Sequence, residues 1–179
     1  MGDELLTARL RIRFWNIDDL EPLVAIFAKE EVWRFPFGRG FTREETAGYL
    51  TRRIDWQEAG RTGPSAAEDR DSGRLLGYIA LSLPEWLPEV MPAVEIGWRL
   101  DPAVWGQGLA AEGARAVLDY GFSELALEEI LAIYEPANLA SGRVIEKLEM
   151  PFQRDTVHPM FDRALRIHGL SRAQWEGRR

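Results

Sequence analysis

The sequence predicts an α+β domain with a mixed, mostly antiparallel central sheet and helices on both of its faces. Three observations carry that expectation. Alternating segments such as Arg9-Leu10-Arg11-Ile12-Arg13-Phe14 have the two-residue period of half-buried strands. Segments with helical spacing, such as Leu20, Leu23, Val24 and Phe27, interleave with the strands instead of forming a block of their own. Strand signals in mid-chain follow one another across short turns, the pattern of antiparallel neighbours. The chain has 179 residues and no internal repeat or low-complexity linker, so residues 1–179 read as one domain.

The elements follow in order. Arg9 to Phe14 is a strand with Leu10, Ile12 and Phe14 on its apolar face; its arginine face reads as solvated. Asp18 and Asp19 open a helix at the positive end of its dipole. Glu31 to Gly40 reads as an aromatic loop. Thr42-Arg43-Glu44-Glu45 is a capping box that starts a second helix, with Ala47, Leu50 and Ile54 inward. Asp69 to Gly73 is a tight turn between two strands, the second being Leu75 to Leu83, apolar on both faces by strict alternation. A proline-containing loop, Pro84 to Pro92, leads to a strand over Ala93 to Leu100. A helix from Leu109 to about Phe122 presents small residues to the sheet. Ile130 to Tyr134 is a buried strand, Asn138 to Leu148 a helix, and Phe152 to Thr156 with Arg163 to His168 a closing strand pair.

Composition removes whole classes of chemistry. There is no cysteine, which excludes disulfide scaffolds, thiolate zinc sites and a covalent acyl-cysteine. The two histidines, His158 and His168, read as a loop and a strand residue and leave little material for a metal site, so none is expected. Lys plus Arg is 22 against 29 for Asp plus Glu, a net charge of −7 that argues against a nucleic-acid partner. No apolar run is long enough to span a membrane and the acidic start is unlike a signal peptide, so a soluble cytoplasmic protein with no membrane partner is expected.

The most informative segment is Trp105-Gly106-Gln107-Gly108-Leu109-Ala110-Ala111-Glu112, a glycine turn between a strand end and a helix start. Glycines let a ligand approach backbone N–H groups, and the helix N-terminus favours an anion, so a pyrophosphate is the natural guest. Gly106, Gly108 and Ala111 also satisfy the dinucleotide pattern G-x-G-x-x-A. That pattern belongs after the first strand of a parallel sheet, whereas this one lies about a hundred residues in. A ligand-free turn is the plain alternative.

Val94-Glu95-Ile96-Gly97-Trp98-Arg99-Leu100, the glycine segment, and Asn138-Leu139-Ala140-Ser141-Gly142-Arg143-Val144-Ile145-Glu146-Lys147-Leu148 together resemble the GNAT superfamily of acetyl-CoA-dependent N-acetyltransferases. More closely they resemble its RimJ/RimL branch, which acetylates ribosomal-protein N-termini. Leu6 to Arg13 and Leu170 to Trp175 fit that branch too, so the resemblance runs over nearly the whole chain. It implies a single N-acetyltransferase domain of GNAT-like fold, with acetyl-CoA as cosubstrate. The cofactor-binding residues it implies are Trp98, Leu100, Trp105, Gly106, Gln107, Gly108, Leu109, Ala110, Asn138 and Ser141. The strand ending at Leu100 is expected to splay from its neighbour and to offer main-chain groups of Trp98 and Leu100 to the pantetheine arm. Two positions depart from the family pattern. Ala103 stands at the first position of the pyrophosphate loop, and Glu149 stands where a helix-closing glycine is usual, so a rearranged cap is expected there.

Direct transfer within a ternary complex needs a base for the protonated amine and stabilisation of the departing thiolate. Glu95 is the leading base; a solvated or arginine-paired carboxylate is its plain alternative, and Glu31 a weaker candidate. The usual tyrosine acid of the family is replaced by Ile145, which leaves Ser141 to hydrogen-bond or protonate the sulfur. Asn138 as N-cap and Ser141 at the third helical position fit ordinary cap chemistry equally. Trp33, Phe35, Phe37, Trp56, Trp86 and Trp98 either line an acceptor pocket or pack the core. The partner is an amine acceptor: a protein N-terminus, or a small amine, polyamine or antibiotic. A homodimer is compatible with the resemblance and demanded by no sequence feature. A non-catalytic acyl-CoA-binding or sensor module on the same fold is the competing function.

Overall fold

A computed structural model describes residues 4–61 and 63–178. One eight-stranded sheet runs through it, in the order β1-β2-β3-β4-β5-β6-β8-β7. Its strands are β1 (Glu4–Leu6), β2 (Leu10–Arg13), β3 (Ala66–Asp69), β4 (Leu75–Ser82), β5 (Val94–Leu100), β6 (Glu129–Tyr134), β7 (Phe152–Val157) and β8 (Ala164–Ser171). Every neighbouring pair is antiparallel except β5 and β6, which are parallel. The helices are α1 (Leu20–Phe27), α2 (Glu30–Phe37), α3 (Arg43–Glu58), α4 (Leu109–Ser123), α5 (Leu139–Lys147) and α6 (Arg172–Glu176). The mixed, mostly antiparallel sheet is the one expected. No helix of the described residues is long and apolar enough to cross a membrane.

The two larger cores lie on opposite faces of the sheet, and a smaller one forms around Leu87, Leu131, Leu165 and Ile167. On one, Leu10, Ile12, Leu76, Ile79 and Ile96 pack against Leu109, Val117 and Leu118 of α4 and Ile145 of α5. On the other, Leu75, Ala66 and Trp15 meet Leu23, Ile26 and Phe27 of α1 and Leu50 of α3. Gly113 lets α4 sit close, since a Cβ there would lie 2.3 Å from Ile79 Cδ1. The capping box forms as read: Thr42 accepts from Glu45 N while the Glu45 carboxylate accepts from Thr42 N.

Strict alternation in β4 does not hold. The pairing with β3 shifts between Ala67 and Glu68, so Leu76 is an extra residue, a bulge that puts Leu76 instead of Leu75 in the same core as Ile79 and Leu81. Gly77, at φ +132°, lies beside the bulge and opposite Leu100; a Cβ there would come 2.1 Å from Arg99 O. The arginine face of β2 is not simply solvated either. Arg13 forks onto Asp19 at 2.8 and 2.7 Å, and Arg11 and Arg13 both reach Glu68, a carboxylate only 5% exposed. These pairs fasten α1 to the sheet edge through charge-assisted bonds.

The aromatic segment expected as a loop is helix α2. Glu30 and Glu31 favour its first turn, and it breaks at Phe35 because the residue before Pro36 is driven out of the helical region. Two short elements lie outside the sequence reading, the strand β1 and the helix α6. Glu149 also differs from expectation: the cap is not rearranged. Met150 N donates to Ile145 O and Glu149 N to Glu146 O, the bonds of a Schellman closure, with Glu149 itself left-handed at φ +53°. Glu149→Gly is therefore expected to stabilise the fold by about 1 kcal/mol, raising Tm by about 2–4 °C in a thermal melt.

Candidate active site

The site starts where two parallel strands part. β5 runs to Leu100 and β6 to Tyr134, yet they pair only at Val94–Ile130 and Glu95–Leu131. The expected splay is therefore present. Asp101 N donates to Leu76 O, which sets the hydrogen-bonding phase of β5. Arg99 and Gly97 then face β4, while the main-chain groups of Trp98 and Leu100 face the gap. One of those groups is already engaged, because Leu100 O accepts from Trp105 Nε1 at 2.8 Å.

Below the gap lies the glycine turn. Gly106 and Gly108 both have positive φ, +75° and +80°, and Gly108 is the N-cap of α4 with no side-chain cap. The first helical bond of α4 runs from Glu112 N to Gly108 O, so the N–H groups of Leu109, Ala110 and Ala111 are the orphan donors of the helix start. They are joined by the helix dipole to make a cradle for an anion. A Cβ on Gly106 would meet nothing within 4 Å, so the turn is open to a ligand. Arg9, just before β2, pins it, donating to Gln107 O at 3.0 Å and pairing with Glu112 at 2.6 Å.

A cavity of about 440 Å³ opens over this cradle. Of the residues expected to hold the cofactor, Trp98, Leu100, Trp105, Gly106, Gly108, Leu109, Ala110, Asn138 and Ser141 line it. Gln107 does not; its carbonyl is turned to Arg9. Four cations that the sequence does not single out also line it: Arg34 of α2, Arg99 of β5, and Arg143 and Lys147 of α5. The last two stand four residues apart, on one helix face, and that spacing was the available signal. Side-chain charge as well as backbone amides thus faces the cavity.

On the other side of the splay a second cavity, of about 500 Å³, contains Glu95. The two cavities share Phe35, Trp98, Arg99, Asn138 and Ser141. Burial pushes the Glu95 carboxyl up to about 7; the bond from Trp86 Nε1 at 3.2 Å, the charges of Arg53 and Arg99 and the Ser82 hydroxyl pull in the opposite direction. Glu31, the weaker candidate base, lines the first cavity and is absent from the second. Asn138 Oδ1 accepts from Ser141 N at 3.2 Å, so the N-cap bond exists at the same place where both side chains border the cavities.

The aromatic residues do both things expected of them. Trp33, Phe35, Phe37, Trp56, Trp86 and Trp98 all line the second cavity, while Trp33 is also buried and stacked on Phe41 with ring centres 3.8 Å apart. His158 is a loop residue as read, but its ring lies 4.9 Å from that of Trp86 on the cavity wall. His168 sits in β8, with Nδ1 2.8 Å from Met150 O. No group of metal-ligating side chains occurs among the described residues.

Two chambers meet at a gap between parallel strands, one floored by a glycine cradle and the other holding a raised carboxylate, and together they make the candidate site. The profile of the acetyltransferase (GNAT) domain family matches residues 9–151. This chain belongs to the GNAT acetyltransferase family and is an acetyltransferase. It is 32% identical to the uncharacterized protein YkkB of Bacillus subtilis, over 84% of this chain and 87% of that one. It is 31% identical to the uncharacterized N-acetyltransferase YoaA of the same organism, over 86% and 84%. Among solved structures, a GNAT-family acetyltransferase from Bacillus anthracis superposes with a TM-score of 0.79 at 24% identity, covering 95% of this chain and 99% of that one. RimL, a ribosomal L7/L12 alpha-N-protein acetyltransferase in complex with coenzyme A, superposes with a TM-score of 0.76 at 14% identity, covering 94% and 97%. At these identities the two structures speak for the fold alone.

Proposed function

We propose that this protein is an acetyl-CoA-dependent N-acetyltransferase related to the RimJ/RimL branch, acting in the cytoplasm and passing acetyl directly to a primary amine in a ternary complex. The observation that carries the reading is the meeting of the two cavities at Trp98, Asn138 and Ser141, with Glu95 on the acceptor side. Acetyl-CoA, as substrate, supplies an activated thioester. The cradle of Leu109, Ala110 and Ala111 N–H groups, with Arg143 and Lys147, suits its pyrophosphate.

Glu95 takes the proton from the ammonium form of the acceptor, directly or through a water. A carboxyl held near 7 is matched to that task at neutral pH. Main-chain N–H groups on the open edge of β5 face the place where a polarised carbonyl would lie, an oxyanion-type contribution. Ser141, at the mouth shared by both cavities, is placed to hydrogen-bond the departing sulfur, and the Asn138 cap holds its backbone.

The test is a binding and turnover pair. Acetyl-CoA is expected to raise the Tm and NAD to leave it unchanged, and thiol release is expected with an amine acceptor. No stabilisation by acetyl-CoA or CoA would refute the proposal; stabilisation without thiol release across a broad amine panel would favour the non-catalytic binding module. Gly108→Val places a β-branched residue at φ +80° beside the cradle and is expected to weaken acetyl-CoA binding at least about tenfold by calorimetry.

A further inference from the structure

We propose that the acceptor bears a carboxylate next to an apolar or aromatic body and that Arg53 binds that carboxylate, so that the preferred substrate is a small amino-acid-like amine. The inference rests on the acyl-transfer reading and names the substrate class of its second cavity.

Arg53 projects from α3 into that cavity, its guanidinium 5.0 Å from the Tyr49 ring centre and 5.0 Å from that of Trp56. It is half-buried, hydrogen-bonds to Tyr49 and enters no ion pair among the described residues. The other charged side chains on the wall are differently placed. Glu85 is paired with Arg61 at 3.0 Å, and Glu135 lies 3.5 Å from Arg163. Arg99 spends its two terminal nitrogens on Val32 O and Phe35 O, at 2.6 and 2.8 Å, and neutral carbonyls leave its charge in place. Glu95 is the proton acceptor.

The chamber therefore carries two cationic heads that enter no ion pair among the described residues, with Glu95 the carboxylate their charges act on, set in aromatic walls inside a chain of net charge −7. The Tyr49 hydroxyl occupies only one of the five donors of the Arg53 guanidinium, and a carboxylate supplies two acceptors in the geometry of its fork. A polyamine meets repulsion at the same place. The N-terminus of a protein offers a neutral peptide carbonyl where the amino acid offers an anion. The overall acidity attracts cations to the surface, but the local charge of the chamber selects within it.

The experiment uses N-acetyl amino acids, aliphatic and aromatic, each paired with its amide, as stand-ins for the acetylated products. Their binding to the full chain is measured by calorimetry with and without saturating CoA, and thiol release is compared for the parent amino acids, their amides, spermidine and a basic peptide. The acids are expected to bind at least tenfold tighter than the amides. Arg53→Gln is expected to abolish that difference and Arg53→Lys to keep part of it, with CoA affinity unchanged in both. Equal binding of acids and amides, binding of neither, a preference that survives in Arg53→Gln, or faster transfer to spermidine or the peptide would overturn the inference. Failure of the acyl-transfer reading shows separately, as absence of CoA binding.

Discussion

Replacing Glu95 with glutamine is expected to lower kcat by about 10²- to 10⁴-fold while leaving acetyl-CoA affinity within about twofold of wild type. Glutamine keeps the shape of the side chain and its bond to Trp86 but has no basic oxygen pair. The rate–pH profile separates a base from a merely structural carboxylate. Wild-type kcat/KM should rise with pH through about 7, where Glu95 loses its proton, and the glutamine variant should lack that inflection. Ser141→Ala belongs to the same experiment and is expected to cost less, because only a hydrogen bond to the sulfur is lost. Wild-type rates in Glu95→Gln with a good acceptor would remove Glu95 from the mechanism.

The same carboxyl has a thermodynamic signature. Its pKa is higher in the folded chain than the ordinary 4.5. Between about 4.5 and about 7 the native state then binds more proton than the unfolded state, so stability falls as pH rises through that window. Glutamine removes the dependence. Glu95→Gln is therefore expected to be more stable than wild type at pH 8, by on the order of 2 kcal/mol, and nearly equal to it at pH 4.5, as chemical denaturation at the two pH values would show. A function-bearing residue that costs stability at working pH is what an active-site carboxylate should look like.

Gly77→Ala is expected to be among the most damaging single-methyl additions to the described residues. The added Cβ would lie 2.1 Å from Arg99 O, and backbone on backbone cannot be relieved by a rotamer change. At φ +132° the position is also strained for any side chain. The cost should reach about 4 kcal/mol or more, a fall in Tm of roughly 10 °C or complete loss of soluble protein. Gly97→Ala, on the neighbouring strand, is the control: its Cβ would find only Tyr78 Cε2 at 4.0 Å, and a shift under about 0.5 kcal/mol is expected. Equal behaviour of the two variants would show that the bulge in β4 tolerates a side chain.

Local rules made much of this fold legible. Thr42 to Glu45 spells a capping box whose bonds all lie within four residues, and it forms as written. The turn at Asp69 to Gly73 and the helix start at Gly108 are likewise decided by neighbours in sequence. What was misread depended on distant partners. The alternation of Leu75 to Leu83 gives no sign of a bulge, because the extra residue is defined by pairing with β3. Phe35, Pro36 and Phe37 look like a loop until Trp33 is seen packed against Phe27 and Phe41. Glu149 accepts a left-handed backbone because the closing bonds of α5 and the packing of Met150 hold it there.

Sequence alone determined which thiol chemistry is absent and where one helix opens: no cysteine, hence no acyl-enzyme thiol, and glycines at 106 and 108 leading into a helix. Those are properties of residue type and short spacing, and they survive in any conformation. Only the tertiary structure decided that Ser141 borders both chambers and that Arg53 from α3 shares a wall with Glu95 from β5. The reason is physical. Desolvation of Glu95, the seating of Arg53 against Tyr49 and Trp56 and the joining of two cavities are created by groups from separate parts of the chain. They come into existence only when the sheet and its two helical layers close around them.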